Sequence, residues 1–340
     1  SVLLFFLGTG IWVALSMIGV SAIGMMLFTS RPVGDAMATT IWGASSSWTL
    51  TALPLFVWMG EILFRTKLSK NLFEGLSPWM QKLPGGLIHV NVVGCALFAA
   101  ISGSSAATVA TVGKMSIPEL RKRKYPEKIL LGSLAGSGTL GLLIPPSIIL
   151  IIYGVTVQES IAKLFIAGII PGILIALIFM SYVIVWSLIN RKHMPKFEEN
   201  FSFFEKVKKS KKLLPVILLI LSVIGSIYTG IATATEAASL GVVGALVLSY
   251  FQKSLNMKTF KASLLGATKT SCMIAFILAG ATFLSLAMGF TGLPRNLAIW
   301  IQEMELSPYV LIFVLMIFYI ILGMFLDGIS AVVLTMAIIE

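Results

Sequence analysis

From Leu164 to Ile189 the chain runs 26 residues without a charged side chain. As a helix at about 1.5 Å per residue such a run reaches some 39 Å, enough to cross a hydrocarbon core of about 30 Å. Within a bilayer every backbone polar group must be satisfied internally, and a helix does this by itself. Other apolar runs cover Val2–Phe28, Ile41–Phe64, Leu87–Ile101, Ala106–Ile117, Ile129–Val155, Leu213–Tyr228, Ala237–Phe251, Thr270–Phe290, Tyr309–Leu326 and Ala331–Ile339. Apolar residues make up 57% of the 340 and charged residues 11%, against about 45–50% and about 25% in soluble domains. The sequence therefore predicts an all-α integral membrane protein. Cys95 and Cys272 both lie in apolar runs, so neither a disulfide framework nor a metal cluster is implied. The first run lacks the basic flank and small-residue cleavage site of a secretory signal.

The formal net charge is +11. In a soluble protein that would suggest nucleic acid; in a membrane chain it reports orientation, and no nucleic-acid partner is expected. Twenty-two of the 25 basic residues fall in four clusters. The first holds Arg65, Lys67, Lys70 and Lys82, and the second Lys114, Arg121, Lys122, Arg123, Lys124 and Lys128. The third holds Arg191, Lys192, Lys196, Lys206, Lys208, Lys209, Lys211 and Lys212, and the fourth Lys253, Lys258, Lys261 and Lys269. The positive-inside rule puts all four on the cytoplasmic side, leaving Arg31, Lys163 and Arg295 outside.

The first two clusters flank residues 87–117, so that segment enters and leaves on one side. Its limbs are each too short to span, and Ser102-Gly-Ser-Ser105 joins them. This predicts a re-entrant hairpin with a polar tip; the alternative is a full helical pair with an outside turn at 102–105. Irregular backbone at membrane depth is tolerated where it is buried in protein or lines a wet cavity, which makes the tip a candidate binding site. Tyr309–Leu326, Asp327-Gly-Ile-Ser330 and Ala331–Ile339 form a similar pattern that enters from the opposite face. Ser102–Ala106 aligns with Asp327–Ala331, and Gly60 falls near Gly280 at a similar offset. Matching offsets with opposite entry faces are the signature of an inverted-topology repeat, the plan of many secondary transporters.

Gly136-Ser-Gly-Thr-Leu-Gly-Leu-Leu-Ile-Pro-Pro-Ser147 interrupts a spanning run. Pro145 and Pro146 supply no amide hydrogen and the glycines tolerate non-helical dihedrals, so the helix should unwind between about Gly138 and Ser147. Unwinding frees carbonyls and presents the Thr139 and Ser147 hydroxyls. Carbonyl ends of half-helices suit Na⁺ and their N-termini suit a carboxylate; a simple proline kink is the plainer reading. Asp327 is a lone carboxylate in an apolar stretch, where charge costs about 2.5–3.5 kcal/mol, so it is expected to ligate a cation or accept a proton unless the hairpin is shallow. Arg295 could attract an anionic substrate or snorkel to the interface. Glu236 is expected to close a capping box with Thr233. Glu61 is expected to pair with Arg65 at i+4, and His89 to be packed or interfacial. The chain carries no Gly-x-x-x-x-Gly-Lys-Ser/Thr phosphate loop and no His-Glu-x-x-His zinc motif.

Ser102-Gly-Ser-Ser-Ala-Ala-Thr108, Gly141-Leu-Leu-Ile-Pro-Pro-Ser147, Thr235-Glu-Ala-Ala-Ser-Leu-Gly241, Gly292-Leu-Pro294 and Gly323-Met-Phe-Leu-Asp-Gly328 occur in this order. With them the chain resembles the large membrane (M) subunit of tripartite ATP-independent periplasmic (TRAP) transporters. The resemblance implies an elevator-type Na⁺ symporter for an organic acid anion, of sialic acid or C4-dicarboxylate type, in the bacterial inner membrane. It implies no cofactor beyond Na⁺ as coupling ion, a periplasmic substrate-binding (P) protein and a small membrane (Q) subunit as partners, and no enzymatic activity.

By that resemblance Ser102, Gly103, Ser104, Gly138, Thr139, Ser147, Asp327, Gly328 and Ser330 would bind sodium, and Ser105, Pro145, Pro146 and Arg295 would face substrate. The corresponding division puts first-repeat scaffold at 1–85, the first hairpin and broken helix at 86–160, and connecting helices with a basic loop at 161–230. Second-repeat scaffold would follow at 231–307 and the second hairpin at 308–340. Two departures stand out: Arg295 follows Gly-Leu-Pro where the family often has Gln, and the family continues past the second hairpin, so the chain is expected to be truncated. A membrane-embedded lipid-modifying enzyme and a non-transporting scaffold subunit are the rival classes.

Overall fold

A computed structural model describes residues 2–66, 68–195, 201–324, 326 and 328–339. The described residues form seventeen α-helices. They are α1 (Val2–Gly8), α2 (Val13–Phe28), α3 (Val33–Ser45), α4 (Ala52–Phe64), α5 (Leu68–Met80) and α6 (Ile88–Ser102). Then come α7 (Ser105–Lys122), α8 (Glu127–Gly138), α9 (Ile148–Thr156), α10 (Ile161–Ile189), α11 (Phe203–Ser210) and α12 (Leu214–Tyr228). The last five are α13 (Ala234–Phe251), α14 (Met257–Thr291), α15 (Leu293–Glu303), α16 (Pro308–Gly323) and α17 (Gly328–Ile339).

Among the described residues, α10, α13 and α14 are each long and apolar enough to cross a membrane. Two helix pairs pass the same test only together: α3 with the stretch Trp48–Phe64, and α11 with α12, bent by 58°. An all-helical chain of this kind is a multi-pass membrane protein. Three boundaries differ from the apolar runs. The run Val2–Phe28 divides into α1 and α2 at Gly10, whose φ of +81 suits glycine alone. The run from Ile41 breaks after Ser45 in a serine-rich turn. The basic stretch 258–269 lies inside α14 and is no loop, because Lys, Ala and Leu are strong helix formers whether or not they sit at bilayer depth.

The chain divides into two units. One comprises residues 1–50, 152–159 and 270–340. Its core is Met25, Phe283 and Ala287, with Ile18, Ala22, Leu286 and Phe290 around them. Arg31 lies over the Phe290 ring at 4.2 Å. Within the same unit α16 and α17 meet through a hydrogen bond of 2.6 Å between the Tyr319 and Thr335 hydroxyls. Gly280 packs on α2, where an added Cβ would lie 2.8 Å from the Ala14 carbonyl oxygen.

The other unit comprises residues 51–151 and 160–269. Here α4 packs along α13, and Gly241 makes the approach possible: a Cβ there would lie 2.5 Å from Met59 Sδ. The start of α13 is fixed by the expected capping box. Thr233 N–H donates to Glu236 Oε2 at 2.8 Å, and Glu236 N–H donates to Thr233 Oγ1 at 3.3 Å. Arg65 donates to Glu61 at 2.9 Å at the end of α4, also as expected. His89 is fully buried, with Nε2 2.8 Å from the Pro84 carbonyl oxygen. Val92, Ala99 and Leu140 form a core cluster against Ile144 and the Ile175–Met180 face of α10.

Candidate functional site

Helix α6 ends at Ser102, and Gly103 turns the chain in the left-handed region with φ +57. Its N–H donates back to Ala99 O at 2.9 Å. Ser104 then caps α7, its Oγ accepting from Ala107 N at 3.4 Å. The Thr108 hydroxyl, fully buried, donates to Ser104 O at 2.7 Å and lies 3.0 Å from Ser102 Oγ. The tip is thus a closed loop of serine and threonine hydroxyls with its backbone pinned at both ends. Helix α7 continues to Lys122, beyond the apolar limb that ends at Ile117.

The element facing this tip is the interruption after α8. That helix stops at Gly138; residues 139–142 make one 3-10 turn, and 143–147 are non-helical up to the start of α9 at Ile148. Pro145 and Pro146, joined by a cis peptide bond, contribute no donors there. The expected unwinding from Gly138 to Ser147 is present. Ser147 is buried, and its hydroxyl donates to Leu142 O at 2.5 Å. Thr139 is exposed and donates to Gly136 O at 2.7 Å.

Tip and interruption are in direct contact. Ile148 N donates to Gly103 O at 3.3 Å. Gly141 lies against the tip backbone, since a Cβ on it would sit 2.9 Å from both Ser104 C and Ser105 N. A Cβ on Gly103 would sit 2.9 Å from Pro146 O. Gly138 faces Val109 of α7, and Gly60 of α4 meets the tip from another side, 2.9 Å short of Ser102 Cα for an added Cβ. Behind the interruption, Gly168 and Gly172 of α10 let Leu143 and Ile144 seat. A buried amide ties α6 to α8: Asn91 Nδ2 donates to Leu130 O at 3.2 Å and to Ser133 Oγ at 3.0 Å.

Of the residues singled out from sequence, Ser102, Gly103, Ser104, Ser105, Gly138, Thr139, Pro145, Pro146 and Ser147 are gathered in this one unit. Gly328, Ser330 and Arg295 belong to the other unit. Gly328 opens α17, Ser330 is buried in its first turn, and Arg295 is exposed near the start of α15. Asp327 lies outside the described residues. Gly60 and Thr108 were not in either ligand set. Thr108 is four residues after Ser104, the spacing that lets a hydroxyl reach back to a carbonyl one turn earlier. Gly60 carries no such local signal, because its partner is 42 residues away in sequence.

Chemically the arrangement is uncharged and rich in oxygen. The C-terminal ends of α6 and α8 carry partial negative charge, and the N-terminal ends of α7 and α9 partial positive charge. Carbonyl and hydroxyl oxygens suit a hard cation, and the helix N-termini suit a carboxylate.

The sequence matches the family model of the tripartite ATP-independent periplasmic transporter, DctM component, over residues 1–340. The C4-dicarboxylate TRAP transporter large permease protein DctM of Pseudomonas aeruginosa is 34% identical, over 93% of this chain and 73% of its own. The sialic acid TRAP transporter large permease protein SiaM of Vibrio cholerae is 31% identical, over 96% of this chain and 75% of its own. The isethionate TRAP transporter permease protein DctMQ of Oleidesulfovibrio alaskensis is 30% identical, over 97% of this chain and 52% of its own.

Proposed function

Because the chain belongs to the DctM-component family, the large membrane subunits of TRAP transporters, we propose that it couples Na⁺ entry to the uptake of an organic acid anion. It is a transporter subunit and not an enzyme. The observation that carries the coupling is the seating of the serine tip on the helix interruption, with Ile148 N bonded to Gly103 O and Gly141 abutting Ser104–Ser105. Sodium would be held by the hydroxyl and carbonyl oxygens of Ser102, Gly103, Ser104, Gly138, Thr139 and Ser147. Asp327, Gly328 and Ser330 would supply the counterpart in the second hairpin. Substrate carboxylate would face Ser105, Pro145 and Pro146, where helix N-termini supply positive potential, and Arg295 would add a guanidinium that attracts the anion.

Relatives named for C4-dicarboxylates and for sialic acid favour those two substrate types. The basic clusters favour a cytoplasmic face for the segments they occupy and the inner membrane as location. In an elevator cycle residues 86–160 would carry the first hairpin and its broken helix past scaffold formed by 1–85 and 231–307. Gly60 would then be the surface the tip slides on, since a bare backbone leaves no side chain in the way. A periplasmic P protein would deliver the substrate, and a small Q subunit would flank the scaffold. The test is an uptake screen in proteoliposomes with candidate binding proteins and a panel of C4-dicarboxylates, sialic acid and isethionate. Uptake of one acid that requires external Na⁺ supports the reading. Uptake of the same acid that is equal with Na⁺ and with K⁺ overturns the coupling.

A further inference from the structure

Within residues 51–151 and 160–269 a cavity of about 920 Å³ opens between α5, α7 and α11. Arg65, Lys114, Arg123, Lys209 and Lys212 line it, against only Glu74 and Glu119. Lys212 pairs with Glu74, and Arg65 is held by Glu61 at 2.9 Å. Lys114 makes no hydrogen bond or ion pair among the described residues. Lys209 rests on the Phe201 ring at 3.7 Å and not on a carboxylate. The cavity therefore keeps positive charge that its own acids do not cancel. Its nearest lining residue on α7, Thr111, is six residues from Ser105, and Lys114 is nine, about 14 Å along the helix at 1.5 Å per residue; the cavity holds none of the tip residues.

Two features say what kind of anion fits. The wall is part apolar, with Phe73, Met115 and Phe201 beside the cations, which a small, fully hydrated acid would not use. Helix α11, which supplies Lys209 to the cavity, carries the features of a bilayer surface. On α11, Phe203 and Phe204 are 72% and 78% exposed beside Lys206 and Lys208. Trp79 stands against Phe203 edge-on at 6.1 Å and donates to Ser210 Oγ at 2.7 Å. Exposed aromatics followed by lysines on a short helix mark an interfacial element, its rings among the acyl chains and its ammonium groups at headgroup level.

We propose that this cavity is a binding site for an anionic phospholipid, with the lipid phosphate between Lys114 and Lys209 and the glycerol and upper acyl carbons on the apolar wall. Its charge and its place at an interfacial helix match the way basic pockets between membrane helices take lipid headgroups. It is independent of the sodium and substrate assignments, since none of its residues belongs to them.

The test uses the full-length protein purified in mild detergent, loaded with phosphatidylglycerol or phosphatidylcholine and analysed by native mass spectrometry. Phosphatidylglycerol is expected to be retained and phosphatidylcholine lost. Lys114→Gln with Lys209→Gln is expected to lower phosphatidylglycerol retention by roughly fivefold for each lysine removed. Lys253→Gln with Lys261→Gln, away from the cavity, should leave it unchanged. Equal retention of the two lipids by the wild-type protein would overturn the proposal, and so would unaltered phosphatidylglycerol binding in the Lys114/Lys209 variant. Displacement of the lipid by inorganic phosphate would instead assign the site to a free anion and would also overturn it. The comparison of lipids on wild-type protein decides the matter even where a variant folds poorly.

Discussion

Replacing Gly141 by alanine should unseat the hairpin tip. A Cβ at this position would lie 2.9 Å from Ser104 C, 2.9 Å from Ser105 N and 3.0 Å from Ser104 O. All three are backbone atoms, so no rotamer change can relieve the clash. Their turn is already fixed by Gly103, by the Ser104 cap and by Thr108. The tip must retreat from the interruption, stretching the 3.3 Å bond from Ile148 N to Gly103 O. Overpacking of this kind costs about 1–3 kcal/mol. The same substitution at Gly132 on α8 meets nothing within 4 Å. There alanine replaces glycine in a helix interior and gains roughly 0.5–1 kcal/mol. The two variants therefore share their chemistry and differ in sign. Thermal unfolding of the detergent-solubilised protein should show Gly141→Ala melting a few degrees lower and Gly132→Ala unchanged or slightly higher. Uptake in proteoliposomes should fall sharply for the first and persist for the second. If Gly141→Ala melts with or above Gly132→Ala and transports normally, the tip is not seated on residue 141 and the site as described is wrong.

Tyr125→Phe should destabilise the base of the hairpin by about 1–3 kcal/mol, because Leu87 N–H, buried, donates to the Tyr125 hydroxyl at 3.0 Å; a melting midpoint equal to wild type would contradict this. Ser147→Ala and Asp327→Ala should each express normally and weaken the dependence of uptake on Na⁺, and wild-type uptake in both would remove them from the site. A cysteine introduced by Lys206→Cys should react with a membrane-impermeant maleimide only from the cytoplasmic side, and labelling in intact spheroplasts would reverse the orientation. Arg121 donates to Glu127 at 2.7 Å through Nε, and the guanidinium holds the carboxyl below its ordinary value of 4.5. A depressed carboxyl stabilises the fold above its unfolded value and loses that contribution as pH falls through the folded value. The melting midpoints of wild type and Glu127→Gln should therefore differ slightly near neutrality and converge below pH of about 4; a gap that persists or widens on acidification would refute the assignment.

The spans were legible because bilayer depth imposes long uncharged runs, and Ile161–Ile189 falls within a few residues of its run. The helix interruption was legible for a local reason: two prolines and two glycines cannot sustain the ladder of bonds between Gly138 and Ser147. The tip turn at Gly103 likewise follows from Ser-Gly-Ser-Ser between apolar limbs. What hydropathy could not give is helix ends, since it reports depth and not hydrogen bonding. Hence α14 runs on through Lys258–Lys269, and the first run divides at Gly10. Nor could it give tertiary approach. Gly60 and Gly280 align in sequence, yet one meets the hairpin tip and the other α2, so the two positions share a close contact without sharing a neighbour. The closing of the tip by Thr108 depends on a side chain turning back along its own helix, which the sequence permits but does not require.

The central claim is that Na⁺ and an organic acid move together through the site where the serine tip meets the broken helix. It is tested most directly by measuring radioactive sodium entry into proteoliposomes holding the complete transporter, with and without the acid and its binding protein. The account requires that acid stimulate sodium entry, that sodium stimulate acid entry, and that Ser147→Ala reduce both in parallel. Acid uptake unaccompanied by sodium, or coupled fluxes unaltered by Ser147→Ala, would contradict it.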